Sequence, residues 1–240
     1  MLLRQTRIAL SLFSQRREWV AIMFNRKVFR IVAVRTLSVL LLTVGITTTT
    51  NLGATASAQN YCATIDVVVA RGTTEPGYLG AAVGDPLYGV LSSQLSVDTS
   101  AYRVNYPADL LVPTSVSDGT RDMVTHVINQ AAACPDQRFV LVGYSQGAAV
   151  THAVLGTPAM MMLPGMWVLP AELSWRVTAV LLFGDPLRLV GQGVAGAYAD
   201  RTANYCTSGD PICAGGIFPA AHGSYQWAFT SATGLVESRL

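Results

Sequence analysis

Short apolar runs alternate with amphipathic stretches along most of the chain after residue 60. Ile65–Ala70 reads as a buried strand that ends at the turn Arg71-Gly72-Thr73-Thr74-Glu75-Pro76-Gly77. Residues 83–95 suit a helix, with Pro86 in the first turn. Tyr102–Tyr106 reads as a second strand, stopped by Pro107. Over residues 115–132, Val116, Met123, Val127 and Ile128 fall on one helical face, and Asp118 and Asp122 favour the N-terminal half. Arg138–Val142 is a third strand, followed by a helix over 148–155. Arg176–Phe183 is a fourth apolar strand, and residues 223–238 close the chain as a helix. Strands that alternate with helices imply an α/β architecture with a mostly parallel sheet and right-handed crossovers.

Residues 157–170 break the pattern. Three prolines (Pro158, Pro164, Pro170) forbid a long helix, and four of the seven methionines lie here. Two readings stand: a loop folded onto the core, or a flexible apolar rim for lipid-like substrates.

Composition changes the picture once it is divided. The chain has 16 basic and 14 acidic residues, but eight of the basic ones and only Glu18 of the acidic ones lie in residues 1–58. The remainder carries eight arginines, no lysine and thirteen acidic residues. The basic balance therefore belongs to the leader, and a nucleic-acid partner is disfavoured. Residues 1–58 have the parts of a secretory signal: Arg26, Lys27, Arg30 and Arg35, then the apolar core Leu37–Ile46, then Ala56-Ser57-Ala58 as a cleavage site. The core is too short for a comfortable span of ~20 residues, so no stable membrane span is expected after cleavage, and an uncleaved anchor is the alternative. Met23 would give a more ordinary start. Residues 59–240 form one domain of sufficient size for a substantial core. All four cysteines lie in it, which in an exported chain argues for two disulfides. Cys206 and Cys213 bracket a short polar loop and suit each other, leaving Cys62 with Cys134. Zinc is disfavoured because no C-x2-C pair occurs and no histidine is close in sequence.

The candidate chemistry centres on Gly143-Tyr144-Ser145-Gln146-Gly147, a G-x-S-x-G pattern with a strand before it and a helix after it. Side chains two before or two after the serine would collide with backbone in so tight a turn. Ser145 then projects above the sheet edge, beside helix N-terminal amides that can hold negative charge. A serine hydroxyl needs a base. His152 lies on the same helix and points away, and His126 sits within a helix. His222 follows the strands in a loop and fits the chain order Ser…Asp…His. Two aspartates suit the acid equally on this reading: Asp185, directly after the fourth strand, and Asp210, within the Cys206–Cys213 loop.

The chain resembles the cutinase family of serine esterases. The resemblance is carried by Ala70-Arg71-Gly72-Thr73-Thr74-Glu75, Cys134-Pro135-Asp136, Gly143–Ala148, Cys206-Thr207-Ser208-Gly209-Asp210-Pro211-Ile212-Cys213, and His222 with Tyr225. It implies an α/β-hydrolase-type three-layer sandwich with a mostly parallel central sheet. It also implies a catalytic set of Ser145, Asp210 and His222, an oxyanion hole at Thr73 and Gln146, and the disulfides Cys62–Cys134 and Cys206–Cys213. Arg71 and Glu75 are expected to be structural, paired across their turn. No metal or cofactor is implied. The expected protein is a secreted, monomeric esterase acting on short- to medium-chain lipid esters or cutin-like polyesters, including esters presented at an interface. The alternatives are an acetylxylan-type carbohydrate esterase, whose family shares these motifs, and a non-catalytic binder of cell-wall or lipid material.

Overall fold

The computed structural model describes residues 62–240. The leader, its cleavage site and the alternative start at Met23 lie outside the described residues. Five strands form one parallel sheet in the order β2-β1-β3-β4-β5: β1 Ile65–Ala70, β2 Thr99–Arg103, β3 Arg138–Tyr144, β4 Val177–Phe183 and β5 Thr202–Tyr205. The helices are α1 Gly84–Gln94, α2 Ser115–Ala133, α3 Gln146–Val154, the single turn α4 Pro158–Met161, and α5 Phe229–Glu237.

The sheet is covered on both faces, which is why its central strands are almost wholly apolar. Their side chains still sort by alternation. Ile65, Val67, Val69, Val140, Val142, Ala179, Leu181 and Phe183 face Leu87 and Leu91 of α1 and Phe229, Ala232 and Val236 of α5. Val68, Ala70, Phe139, Leu141, Val180 and Leu182 face Met123, Val124 and Val127 of α2 and Val150 and Val154 of α3. Three layers result, as the family resemblance implied. Arg176 is buried at the rim of β4, where it donates to the carbonyls of Ala131 and Cys134. It thereby satisfies acceptors that the C-terminus of α2 leaves free.

The strand order places the site. The chain moves outward from β1 to β2, then returns to pair β3 on the other side of β1. Loops leaving the carboxyl ends of β1 and β3 diverge there and open a crevice. The turn starting at Arg71 leaves β1, and Ser145 leaves β3.

Two boundaries and one unforeseen strand depart most from expectation. The second strand covers Thr99–Arg103 instead of 102–106, because it is a half-exposed edge whose register on β1 begins at Thr99. The edge strand Thr202–Tyr205 was not foreseen: it is four residues long, half-buried throughout, and lacks an apolar run. The closing helix starts at Phe229, because 219–228 coils into two short 3-10 turns around His222 and Tyr225.

Candidate active site

Ser145 occupies a backbone conformation that side chains rarely adopt, with φ 54° and ψ −118°. The turn is held by Ser145 N–H, which donates to Phe183 O of β4 at 2.9 Å. The flanking glycines are required on contact grounds. A Cβ on Gly143 would stand 2.6 Å from Gly147 O, and one on Gly147 would stand 1.9 Å from Ala70 O. A side chain at Gly143 would push α3 off β3 and one at Gly147 would push it off β1, so the tight elbow depends on both.

Two loops meet Ser145 from above. His222 Nε2 lies 2.9 Å from Ser145 Oγ, and His222 Nδ1 lies 2.8 Å from Asp210 Oδ2. Asp210 is fully buried in the loop closed by the Cys206–Cys213 disulfide. Its other oxygen accepts Ile212 N–H at 2.7 Å and Cys213 N–H at 3.4 Å. Burial alone would raise its pKa. The hydrogen bonds from Tyr225, His222 and the Ile212 amide outweigh that and hold it below the ordinary carboxyl value. Thr207, in the same loop, donates to Ser224 O at 2.6 Å and accepts from Trp227 Nε1 at 3.0 Å. The acid-bearing loop is therefore tied to the histidine-bearing one. Cys62–Cys134 is the second disulfide and joins the start of β1 to the end of α2.

Asp185, the other candidate acid, does not reach this cluster. It is fully buried and accepts from His152 Nε2 at 2.9 Å, Asn204 Nδ2 at 2.6 Å and Leu187 N–H at 2.9 Å. Burial raises its pKa and these donors, His152 foremost, bring it below the ordinary value. His152 is packed in the interior, and His126 pairs with Asp66 at 2.6 Å while stacking on Tyr102.

Thr73, Ser145 and Gln146 line one cleft of about 240 Å³ whose other walls are Leu110, Val116, Ala149, Pro186 and Ile212. Gln146 opens α3, so its N–H is among the donors a helix start leaves free. The Arg71–Glu75 pairing expected across the turn is absent. Arg71 donates instead to the carbonyls of Tyr106 and Pro107, both at 3.2 Å. Glu75 accepts Gly72 N–H and Ala82 N–H, each at 2.7 Å, and so braces the turn that carries Thr73. Burial raises the Glu75 pKa against these amides. No residue of 157–170 lines the cleft. Met160 packs behind it against Ala149, Ala153 and Leu187, while Met162, Leu163 and Trp167 are exposed.

Three neighbours of the cluster went unassigned in the sequence. Tyr144 hydroxyl donates to His222 O at 2.7 Å. Gly184, at φ 56°, lies under the imidazole, where a Cβ would stand 2.7 Å from His222 Cε1. Tyr225 donates to Asp210 Oδ2. The signal for Tyr144 was its place inside G-x-S-x-G, and for Tyr225 its place three residues beyond His222.

The family model for cutinase matches residues 61–240. A cutinase from Kineococcus radiotolerans is 40% identical over 191 residues, covering 74% of this chain; the chain spans 63% of that relative's length. A cutinase from Botryotinia fuckeliana is 37% identical over 180 residues, covering 73% of this chain and 83% of its own. The solved structure of Trichoderma reesei cutinase in complex with a C11Y4 phosphonate inhibitor is 31% identical, with a TM-score of 0.58 over 73% of this chain and 75% of that one. On the strength of a match running from the first strand to the last residue, the chain belongs to the cutinase family.

Proposed function

We propose that this carboxylic-ester hydrolase works through an acyl-enzyme at Ser145, with His222 as base, Asp210 as its acid and the N–H groups of Thr73 and Gln146 as oxyanion donors. The carrying observation is the unbroken hydrogen-bond chain from Ser145 Oγ through the imidazole to Asp210 Oδ2, at 2.9 and 2.8 Å. Its direction follows from charge. Asp210 is held ionised and can only accept, so His222 Nδ1 carries the proton and Nε2 offers its lone pair to Ser145. His222 takes the hydroxyl proton as Oγ attacks the ester carbonyl, and Asp210 stabilises the imidazolium that forms. The oxyanion develops beside Thr73 and Gln146, and each amide contributes about 3 kcal/mol to the transition state. His222 returns the proton to the leaving alcohol. Water then repeats the sequence on the acyl-enzyme and releases the acid. No step calls on a metal or cofactor.

The substrates proposed are short- to medium-chain esters, because the cleft walls are apolar and the cleft is small. The domain is proposed to act as a secreted monomer, freed of residues 1–58. Two disulfides support an oxidising compartment, and the leader pattern supplies the route. Among the described residues no helix is long and apolar enough to cross a membrane.

The test is turnover of p-nitrophenyl butyrate together with intact mass after a serine-directed phosphonate. A single adduct at Ser145 with loss of activity is expected. Turnover that survives Ser145→Ala would reject the assignment. Ligand binding without turnover of any ester would favour the non-catalytic reading.

A further inference from the structure

The hydrolytic reading uses three side chains, yet the carboxylate it depends on has a fourth partner. Tyr225 is fully buried, and its hydroxyl donates to Asp210 Oδ2, the same oxygen that faces His222 Nδ1. Oδ1 is occupied separately, by the amides of Ile212 and Cys213. The phenol oxygen also accepts the Thr207 backbone N–H and lies 3.3 Å from Cys213 Sγ. That sulfur is bonded to Cys206, so it has no proton to give, and the phenolic proton has the carboxylate as its acceptor. The ring is fixed edge-on by Phe183 at 5.7 Å and Tyr144 at 6.0 Å between centroids. The hydroxyl therefore points at Asp210 because the surrounding core leaves the ring one orientation.

We propose that Tyr225 is a positioning residue for the acid, which shares Asp210 Oδ2 with His222 and sets the base strength of the imidazole. The inference rests on the Ser145–His222–Asp210 reading. A carboxylate oxygen that accepts two hydrogen bonds spreads its charge over both donors. The imidazolium formed during attack then gains less from it than from an unshared carboxylate. Without the phenol, Asp210 concentrates its charge on His222 and one anchor of the carboxylate plane is lost. The base becomes stronger but is protonated over more of the working range.

The other titratable group facing His222 is Tyr144, from the elbow. Burial, with Glu75 and Asp210 nearby, pushes its pKa upward, so it stays neutral through the working range. Glu75 lies beyond Tyr144 and braces the turn after β1. Its titration is common to all Tyr225 variants and cancels in their comparison.

The experiment is the pH dependence of kcat/KM on p-nitrophenyl butyrate for wild type, Tyr225→Phe and Tyr225→3-fluorotyrosine, with phosphonate labelling of Ser145 in each preparation. Phenylalanine keeps the ring and removes the donor, so the acid limb should move up by roughly half a pH unit, with a lower plateau kcat and little change in KM. Fluorotyrosine is a stronger donor and should move the limb down. If both variants keep the wild-type acid limb, Tyr225 only fills space and the proposal is wrong, whatever happens to kcat or thermal stability. Should the phenylalanine variant fail to fold, the fluorotyrosine enzyme decides alone. Failure of wild-type Ser145 to take up phosphonate would instead remove the triad on which the inference rests.

Discussion

Asp185 accepts the Nε2 proton of His152 at 2.9 Å, with both side chains fully buried. The pair matches Asp210 and His222 in distance but uses the opposite ring nitrogen, and its Nδ1 meets Thr157 Oγ1 at 2.9 Å rather than Ser145. It joins the end of β4 to the last turn of α3 and the loop after it. One histidine–aspartate pair locks the scaffold beneath the elbow, and the other reaches Ser145 at the cleft.

That division predicts opposite outcomes for two conservative changes. Asp210→Asn should lower kcat by about 10⁴-fold, because the histidine loses both tautomer and charge support. Asp185→Asn should leave kcat within a few-fold of wild type and cost about 2 kcal/mol, roughly 4–8 °C in Tm. Ester kinetics and thermal unfolding of the two proteins separate the roles. An active Asp210→Asn beside a folded but inactive Asp185→Asn would reverse the assignment.

The same two carboxyls contribute to acid stability. Each is held below its ordinary value of 3.8 in the folded protein. A carboxyl with a lowered folded pKa contributes stability that is complete above the unfolded value and is lost as pH falls through the folded one. Glu75 works in the opposite sense: its raised pKa makes the ionised form unfavourable above the ordinary value of 4.5. Tm should therefore stay nearly level near neutral pH and drop below about pH 4. Asp185→Asn should make that drop shallower, since the titrating group is gone. An unchanged acid slope would mean that Asp185 does not titrate with unfolding.

How far the sequence carried these assignments depends on the range of the contacts. The elbow was legible because its constraint is local: Gly143 and Gly147 are needed within a few residues of Ser145, so the requirement is written in one short pattern. The central strands were legible because burial on both faces leaves long apolar runs in β1, β3 and β4. The edge strand Thr202–Tyr205 was not, since a half-buried edge needs no such run. The choice between Asp185 and Asp210 turned on where a loop folds back over the sheet edge. Local residues leave that open, and only the family motif around the Cys206–Cys213 loop favoured Asp210. Tyr144 gripping the His222 carbonyl from 78 positions away is the same kind of contact, with no periodicity to announce it.

The two disulfides should separate stability from catalysis. Cys62–Cys134 closes a segment of 72 residues and touches no part of the cleft. Replacing both cysteines with alanine should cost about 4 kcal/mol while kcat is retained at temperatures where the protein stays folded. Cys206–Cys213 closes only 7 residues, for about 2 kcal/mol, but it holds the loop that carries Asp210. Its removal should lower kcat more than Tm. Equal activity losses for the two double variants would show that the acid loop does not depend on its own bond.

The cleft sets the last expectation, which concerns acyl length. Its apolar walls are Leu110, Val116, Ala149, Pro186 and Ile212, and they begin at Ser145 itself. Each substrate methylene that leaves water there contributes about 0.8 kcal/mol to the transition state, or roughly four-fold in kcat/KM. The gain should run from acetyl through butyryl and stop when the volume of about 240 Å³ is filled, leaving an optimum at short to medium chains. Residues 157–170 support this groove from behind through Met160, and Met161 and Trp167 stand outside its walls. Replacing Met161 and Trp167 with serine should therefore leave the chain-length profile in place, whereas Ile212→Ser should flatten its rising limb. A panel of p-nitrophenyl esters from about two to sixteen carbons, read as kcat/KM, tests both statements, with spacing set by the per-methylene gain. An optimum at acetyl would turn the substrate reading toward carbohydrate acetyl esters, because a groove that gains nothing from added methylenes is not binding an acyl chain. A profile that changes with Met161 and Trp167 but not with Ile212 would instead make 157–170 the specificity element and the cleft wall a bystander.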